Sequence, residues 1–316
     1  MNQSKKTIIL YFFQAILIIA TVYYIFSSIK KFDFSYRINI NSKFILFVCI
    51  TFILMIINWL LEILKWQYLN KEEEISFSLA CKSVFVGLLV GQLSPNRVAE
   101  PFARGLVLPK NNYYKTTINA TIGSFFQSIP TFTCGLLSLF FLVLNIKIYQ
   151  FKIIIFISIA ILAVLCIILF LFKKKIKYFF NTHKTLIIKK ESDILLKVLI
   201  LSFSRYFIFI LQNYLIFKSL KTEISFMNVF VVSSSIYFIT SFLPSFLLLD
   251  LGTRGSLSVF LYSFFINNIK GIIFVTYFVW FINIVIPIIF TIPFLKRVKI
   301  NFFETLKPIK IWIFRN

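Results

Sequence analysis

Acidic residues are scarce in this chain. Asp and Glu together number 11, against 34 Lys and Arg, and all charged residues make up 14% of the 316 positions. Soluble globular domains carry about 25% charged and about 45 to 50% apolar residues, whereas 59% of this chain is hydrophobic. No stretch is polar enough to fold as a water-soluble core. We therefore expect an integral membrane protein without a sizeable extramembrane catalytic domain.

Histidine and cysteine are also rare. The one histidine is His183, and the four cysteines lie in apolar segments without a CxxC spacing. Their distribution argues against disulfides and zinc sites, and we expect free thiols packed as small apolar side chains. HExxH and GxSxG motifs are missing. The sequence predicts no cofactor, no metal and no enzyme activity, although a carboxylate dyad of Glu100 and Asp250 remains conceivable for acid–base chemistry.

Six apolar runs have about the 20 residues that a helix needs to cross the hydrocarbon core. They are residues 7–29, 44–64, 117–144, 153–172, 194–217 and 272–295. Two further apolar segments, 75–108 and 224–265, are each interrupted by a polar sequence, SPNRVAEPFARG in the first and LPSFLLLDLGTRG in the second. We predict that Pro95, Pro244 and Gly252 break the helices there.

The distribution of Lys and Arg gives an orientation, because basic loops stay in the cytoplasm. If both broken segments are re-entrant hairpins and the N-terminus is inside, 19 flanking basic residues are cytoplasmic and 9 are outside; if each segment crosses once, the same residues divide 14 to 14. The bias favours the first arrangement. We predict an all-α polytopic membrane protein with six crossings, two re-entrant hairpins and both termini in the cytoplasm.

The two broken segments resemble each other, which indicates an internal repeat. Three features recur at an offset of 149 or 150: EISF at 74–77 and 223–226, Pro95 and Pro244, and an acid-x-x-x-Arg-Gly pattern at 100–105 and 250–255. Three predicted crossings separate the copies, so they should enter from opposite membrane faces. Inverted repeats with discontinuous helices are typical of secondary transporters. A duplicated scaffold that only stabilises the fold is the alternative.

Charged residues within membrane segments are costly and mark candidate functional positions. The candidate substrate-binding residues are Glu62, Asn96, Arg97, Glu100, Arg104, Arg205, Asp250 and Arg254. Each hairpin places an acid four residues before an arginine, a spacing that brings the two side chains together on a helix. Each pair could simply neutralise itself. Alternatively, both pairs face one cavity, where the arginines bind a phosphate and the acids accept an ammonium group.

Two other polar sites within the predicted crossings can also be interpreted as either structural or functional. Glu62 and Lys65 are three residues apart near the predicted cytoplasmic end of their crossing, where Lys65 is expected to reach the interface and a structural role is favoured. Arg205 forms a polar strip with Gln212 and Asn213 on the 194–217 crossing. This strip either lines a cavity or bonds neighbouring helices.

Basic residues also concentrate in a connector, 173–191, and in the C-terminal tail, 296–316. Both alternate basic and apolar residues in the manner of an interfacial segment attracted to anionic lipid. Docking of a cytoplasmic partner is the alternative. Because no solvated basic domain is present, the net charge of +23 does not indicate a nucleic-acid binder.

The motifs resemble a known family. PNRVAE at 95–100 followed by Arg104, Pro244 followed by DLGTRG at 250–255, and the Trp59–Trp66 stretch are similar to the transmembrane region of bacterial lysylphosphatidylglycerol synthases, a flippase-like group. The resemblance covers about residues 44–295. It implies a multi-pass protein of the bacterial inner membrane that moves a phospholipid or lipid-linked substrate between leaflets.

The family's membrane region is sometimes fused to a cytosolic aminoacyltransferase domain. Only 21 residues follow Leu295, so the resemblance does not imply the synthase activity. Membrane lipids are the expected partners, a cytoplasmic lipid-modifying enzyme is a further candidate partner, and the sequence does not specify the oligomeric state. Two other functions stay open: a transporter or channel for a small ion or solute, and a membrane subunit that recruits an enzyme.

Overall fold

A computed structural model describes residues 41–92, 94–108, 113–145, 192–243 and 247–295. The predicted crossings 7–29 and 153–172, the basic connector and the basic tail lie outside these ranges. All regular elements within them are helices. The prediction of an all-α polytopic membrane protein is therefore confirmed.

Nine α-helices follow one another along the described chain. They are α1 (Ser42–Leu69), α2 (Phe77–Gln92), α3 (Glu100–Leu106), α4 (Tyr113–Asn145), α5 (Ser192–Ser219), α6 (Phe226–Phe242), α7 (Leu247–Tyr262), α8 (Ile269–Trp280) and α9 (Ile286–Leu295). Single 3-10 turns occur at Lys71–Glu73 and Pro95–Arg97. A π-helical turn, Phe281–Val285, joins α8 to α9.

Among the described residues, four helical spans are long and apolar enough to cross a membrane. They are Ser42–Leu69, Tyr113–Leu142, Ser192–Ser219 and Ile269–Thr291. These correspond to the predicted crossings 44–64, 117–144, 194–217 and 272–295. Helices α2 and α6, with 16 and 17 residues, are apolar but shorter.

The long helices hold the two broken segments between them. Helix α1 packs along α5, α4 packs against α6, and α9 packs against α2. One apolar core, centred on Phe217 and Tyr262, joins α5 to α8; a smaller core around Trp66 joins α1 to α2. Polar side chains that point between these cores are thereby kept away from lipid.

The first broken segment forms a hairpin of α2 and α3, which lie side by side. A Cβ added at Gly91 would come within 2.9 Å of Glu100 Cβ, so the two arms approach closely because α2 carries glycine there. At the tip, Pro95 begins a 3-10 turn, and Asn96 and Arg97 adopt the left-handed conformation with φ of 49° and 56°. Ser94 Oγ accepts a hydrogen bond from the Ala99 amide at 3.1 Å, which fixes the turn.

The second broken segment is a hairpin of α6 and α7, which also pack together. Helix α6 ends at Phe242 and α7 begins at Leu247; Pro244 lies outside the described residues. The prediction that Gly252 breaks this segment is wrong, because Gly252 lies inside α7. Its carbonyl accepts from Ser256 Oγ at 2.8 Å, and a helix tolerates an interior glycine at a cost of about 1 kcal/mol relative to alanine.

The helix bounds follow the offset of the predicted repeat. Helices α1 and α5 each contain 28 residues and begin at Ser42 and Ser192, 150 positions apart. Helices α2 and α6 begin 149 positions apart, each after a serine whose Oγ accepts a backbone amide hydrogen bond near the helix start. These matched bounds support a duplication. The inverted orientation stays a prediction, because it depends on crossing 153–172.

Candidate functional site

The described helices line an open cavity of about 1540 Å³. All eight predicted substrate-binding residues line it: Glu62, Asn96, Arg97, Glu100, Arg104, Arg205, Asp250 and Arg254. Glu62 lies on α1, Arg205 on α5, and Asp250 and Arg254 on α7. The other four lie on the first hairpin. The acid–arginine pairs of both hairpins therefore face a common space, as one of the two sequence interpretations requires.

Glu62 on α1 is the centre of the charged cluster. Its Oε1 lies 2.7 Å from Arg104 Nη2, and its Oε2 lies 2.7 Å from Lys65 Nζ. Arg205 Nη1 donates a further bond to Oε2. Because one buried carboxylate contacts three cations, each charge has a partner away from water.

Glu62 and Lys65 form an ion pair, as their spacing of three residues allows, but the expectation that Lys65 reaches the membrane interface is wrong. Lys65 is only 1% exposed, and its ammonium donates to Gln127 Oε1 at 3.0 Å rather than reaching the surface. Helix α1 continues to Leu69, a full turn beyond Lys65, so the lysine is not part of a loop. Without Lys65 the predicted cytoplasmic basic residues number 18 instead of 19, and the orientation bias remains.

Arg205 on α5 is tied to α1 and α4. Its Nε donates to Asn58 Oδ1 at 2.9 Å, and its Nη1 donates to Gln127 Oε1 at 3.1 Å. The guanidinium carbon lies 5.7 Å from the centre of the Trp59 ring, a cation–π distance. Arg205 thus lines the cavity and also bonds neighbouring helices, so both interpretations of the polar strip apply to it.

The first hairpin contributes a second acid to the cluster. Arg104 Nη2 donates to Glu100 Oε1 at 2.6 Å, the i, i+4 pair that the sequence predicts. Because Arg104 also contacts Glu62, it is held between two carboxylates, and its side chain is 8% exposed. Glu100 Oε2 faces Arg97 Nε at 3.3 Å, and Arg97 is 44% exposed at the hairpin tip.

The second hairpin contains the other predicted pair. Arg254 Nε donates to Asp250 Oδ1 at 2.8 Å, and Trp280 Nε1 donates to the second carboxylate oxygen at 3.3 Å. The Arg254 guanidinium lies 5.6 Å from the Tyr237 ring centre, and Tyr237 Oη accepts from Asn213 Nδ2 at 2.9 Å. Among the described residues Arg254 contacts one carboxylate only, and 29% of its side chain is exposed.

The charges of the cavity wall do not cancel. The described lining contains five basic side chains, Lys65, Arg97, Arg104, Arg205 and Arg254, and three acidic ones, Glu62, Glu100 and Asp250. The net charge of these eight side chains is +2, and the cavity that they line is bounded mainly by apolar helices. Such a wall favours an anion, and guanidinium groups match the oxygens of a phosphate.

Neutral amides continue the polar network away from the cavity. Asn58 Nδ2 donates to Asn283 Oδ1 at 3.4 Å, and Asn283 Nδ2 donates to Gln212 Oε1 at 2.9 Å. Gln212 in turn donates to the Thr51 carbonyl at 3.1 Å. The chain of bonds connects α1, the π-helical turn and α5, so the two halves of the molecule share one polar core.

Several site residues could not be assigned from the sequence. Gln127 is visible there only as a polar interruption, yet its Oε1 accepts from both Lys65 and Arg205. Tyr237 and Trp280 are two aromatic residues in a chain that is 19% aromatic, so nothing distinguishes them.

Comparison with known proteins agrees with the motifs and the fold. The family model described as the lysylphosphatidylglycerol synthase transmembrane region matches residues 12–290. No curated protein and no solved structure matches the chain. The chain, a multi-pass helical membrane protein, therefore belongs to the family of lysylphosphatidylglycerol synthase transmembrane regions.

Proposed function

We propose that this protein is a flippase that moves a phospholipid or lipid-linked substrate between the leaflets of a bacterial inner membrane. The observation that carries the proposal is the shared cavity, which both hairpins line with an acid–arginine pair. Non-helical backbone at membrane depth is tolerated where it is covered by protein or lines a cavity. The family of the chain and the net positive wall are consistent with a phosphate-bearing substrate.

The two arginines most available to a headgroup are Arg97 and Arg254. Arg104 is held between Glu62 and Glu100, whereas Arg97 and Arg254 have exposed side-chain fractions of 44% and 29%. A phosphate entering the cavity reaches these exposed guanidinium groups directly, whereas it would have to draw Arg104 away from two carboxylates. We therefore assign phosphate binding to Arg97 and Arg254, and neutralisation of the empty site to Glu62 and Arg104.

Transfer follows from alternating access about the hairpin tips. Glu100 and Asp250 hold Arg97 and Arg254 while the site is empty, and the substrate phosphate replaces these contacts when it enters. Opening on the opposite face then releases the headgroup to the other leaflet. Transfer of this kind needs no chemical step and no bound cofactor, and it is the work of a transporter.

Leaflet transfer of acyl-labelled lipids in proteoliposomes tests this function. Wild-type protein should accelerate transfer, and Arg254→Gln should slow it at least tenfold, because loss of one charge-assisted hydrogen bond is worth about 1.5 to 3 kcal/mol. Vesicles also contain a water-soluble fluorescent anion. Release of that anion without lipid transfer would contradict the flippase and favour a channel or solute transporter.

The orientation is tested separately. With both termini cytoplasmic, the turn after α5 should face outward, and Lys221 in this turn is exposed. A Lys221→Cys variant, in a background without the four native cysteines, should react with an impermeant maleimide added to intact cells. Reaction only after the cytoplasmic face is opened would contradict the two-hairpin topology while leaving the transport proposal in place.

A further inference from the structure

The three acidic side chains of the described cavity wall differ in the number of cations that contact them. Glu62 forms ion pairs with three cations, and Glu100 forms ion pairs with two. Asp250 forms an ion pair with one cation in the described part of the chain, Arg254. Each of the other four cations of the wall is paired with Glu62 or Glu100. Loss of one cation therefore leaves Glu62 and Glu100 with a partner, but it leaves Asp250 without one.

A bound phosphate would remove these cations with unequal consequences. If it draws Arg97 away from Glu100, Glu100 keeps Arg104 at 2.6 Å. If it draws Arg254 away from Asp250, the described residues offer Asp250 no second cation. The phosphate also brings a negative charge close to this carboxylate, whose side chain is only 12% exposed. Two neighbouring anions with a single guanidinium between them are unfavourable away from bulk water.

The side chains around Asp250 do not replace the lost charge. Helices α6 and α8 pack against α7. Trp280 on α8 donates a hydrogen bond to Asp250 Oδ2 at 3.3 Å, but this neutral donor does not cancel the charge. The titratable group of α6 at the pair is the phenol of Tyr237, which lies against the guanidinium of the pair. Helix α8 contains Tyr277, which faces the next turn of α7, and Lys270 at its first turn.

A proton is the cation that restores the balance most simply. A buried carboxylate without a countercharge takes up a proton rather than stay ionised. A metal cation needs several ligands, and no three His, Cys, Asp or Glu side chains converge on a metal position within the described ranges. Asp250 lines the open cavity and is partly exposed, so water can deliver the proton to it.

We infer that binding of the substrate phosphate at Arg254 is coupled to uptake of one proton by Asp250, so that the protein carries a phosphate-bearing lipid and a proton across the membrane together. The Arg254 hydrogen bond passes from the carboxylate to a phosphate oxygen, and a proton from the aqueous side binds a carboxylate oxygen. On the opposite face Asp250 releases the proton to water and regains Arg254. This inference rests on the proposed flippase function and names the ion that moves with the substrate.

The charges of one cycle predict how transport responds to gradients. The empty pair contains the Asp250 carboxylate and the Arg254 guanidinium, which sum to zero. The loaded pair contains a neutral carboxyl group, the guanidinium and one phosphodiester, which also sum to zero. Transfer should therefore be driven by a pH gradient and be indifferent to the membrane potential. A flippase without this coupling would move the negative charge of the lipid alone.

Binding of a soluble short-chain phosphatidylglycerol to the purified protein tests the coupling directly. Its phosphodiester keeps one negative charge near neutral pH, so any pH dependence comes from the protein. Calorimetry in buffers of different ionisation enthalpy gives the number of protons taken up, and we expect about one per bound lipid with wild type. The affinity should weaken up to about tenfold for each unit of rising pH, because the ionised Asp250 competes with the phosphate for Arg254.

Two matched variants remove the equivalent acids of the two hairpins. Asp250→Asn resembles the protonated carboxyl group, so it should bind the probe at least as tightly as wild type, without proton uptake and without pH dependence. Glu100→Gln should still take up about one proton per bound lipid, because Asp250 remains. Weaker probe binding by a folded Asp250→Asn variant, or loss of proton uptake in Glu100→Gln, would overturn the assignment to Asp250.

Proteoliposomes extend the test to transport. Labelled phosphatidylglycerol is added to the outer leaflet, the outside is made about one pH unit more acidic than the lumen, and valinomycin with equal potassium holds the membrane potential at zero. Wild type should concentrate the label in the inner leaflet up to about tenfold, because one pH unit is a tenfold ratio of protons. Asp250→Asn should give the same distribution with and without the gradient.

The outcomes separate the proton coupling from the flippase. Lipid transfer that ignores the pH gradient, or that follows a sodium gradient or the membrane potential instead, would overturn the proton coupling and leave the flippase in place. Binding of the probe by wild type without proton uptake would do the same. Absence of transfer for every labelled phospholipid under all of these gradients would overturn both.

Discussion

The two hairpins contain the same acid–arginine motif in different surroundings. In the first, Arg104 contacts both Glu62 and Glu100, and 8% of its side chain is exposed. In the second, Asp250 is the one carboxylate that Arg254 contacts within the described ranges; the guanidinium also lies beside the Tyr237 ring, and 29% of the side chain is exposed. The spacing within each pair is identical, so the local motif does not decide whether an arginine is available to a ligand.

The difference comes from a third position on another helix. Glu62 lies on α1, and the residue 150 positions later, on the matching helix α5, is Gln212. Gln212 bonds to Asn283 and to the Thr51 carbonyl, and an amide cannot neutralise an arginine. The Glu62 carboxylate thus holds Arg104 in a buried ion pair. Arg254 has no matching carboxylate at Gln212, so its guanidinium group keeps hydrogen-bond donors available.

Removal of the Glu62 carboxylate should have the largest effect. Glu62→Gln leaves Arg104, Arg205 and Lys65 buried beside a neutral group, and breaking a buried ion pair costs about 3 to 5 kcal/mol. Gln212→Leu at the matching position removes neutral hydrogen bonds and should cost about 1 to 3 kcal/mol. Thermal unfolding in detergent compares the two. Equal losses of stability would contradict the distinction between the halves.

The two arginines should separate stability from transport. Arg104→Gln leaves Glu62 and Glu100 without a shared cation, so it should lower the unfolding temperature markedly. Arg254→Gln removes one partly exposed pair and should lower the unfolding temperature only slightly, while lipid transfer falls at least tenfold. Unfolding and transfer are measured on the same preparations. A large loss of stability from Arg254→Gln would place both arginines in the same structural role.

Much of this arrangement was predictable from the sequence. The apolar runs specify the long helices because crossing a bilayer demands length and hydrophobicity together. Seven of the eight candidate residues follow from the cost of burying charge, the eighth being the neutral Asn96, and all eight line the cavity. The repeat offset predicts that the hairpins correspond. Each of these inferences needs only composition, spacing and local order.

The roles of individual charges were not predictable in the same way. Lys65 looks like an interfacial lysine because it follows Glu62 near the end of an apolar run, but α1 extends beyond it and α4 brings Gln127 to its ammonium. Gln127 is 62 positions from Lys65 in sequence, too far for local spacing to reveal the contact. Gly252 likewise resembles a helix breaker, although it lies inside α7, which begins at Leu247.

The close contacts between helices at glycines also differ between the two halves. An added Cβ at Gly255 on α7 would collide with Tyr277 Oη, whereas one at Gly91 would meet Glu100 Cβ at 2.9 Å. Gly255→Ala should cost about 1 to 3 kcal/mol of stability through overpacking. Tyr277→Phe removes the colliding oxygen, so the Gly255→Ala/Tyr277→Phe pair should recover part of the loss. Additive losses in the double variant would show that the clash lies elsewhere.

Removal of an ion-pair cluster at the surface should have the smallest effect on stability. It therefore serves as a reference for the buried cluster. Lys115 Nζ lies 2.6 Å from Glu72 Oε2 and 2.7 Å from Glu73 Oε1, at the junction of the 3-10 turn with α4. Like Glu62, it contacts more than one opposite charge, but its side chain is 33% exposed. Water and salt screen such pairs, so Lys115→Gln should cost less than about 1 kcal/mol and lose even that effect at high salt. Unfolding temperatures of wild type and variant at low and high salt give the measurement. A loss of stability as large as that of Glu62→Gln would mean that burial does not set the strength of these clusters. The difference between the buried Arg104 and the partly exposed Arg254 would then be contradicted as well.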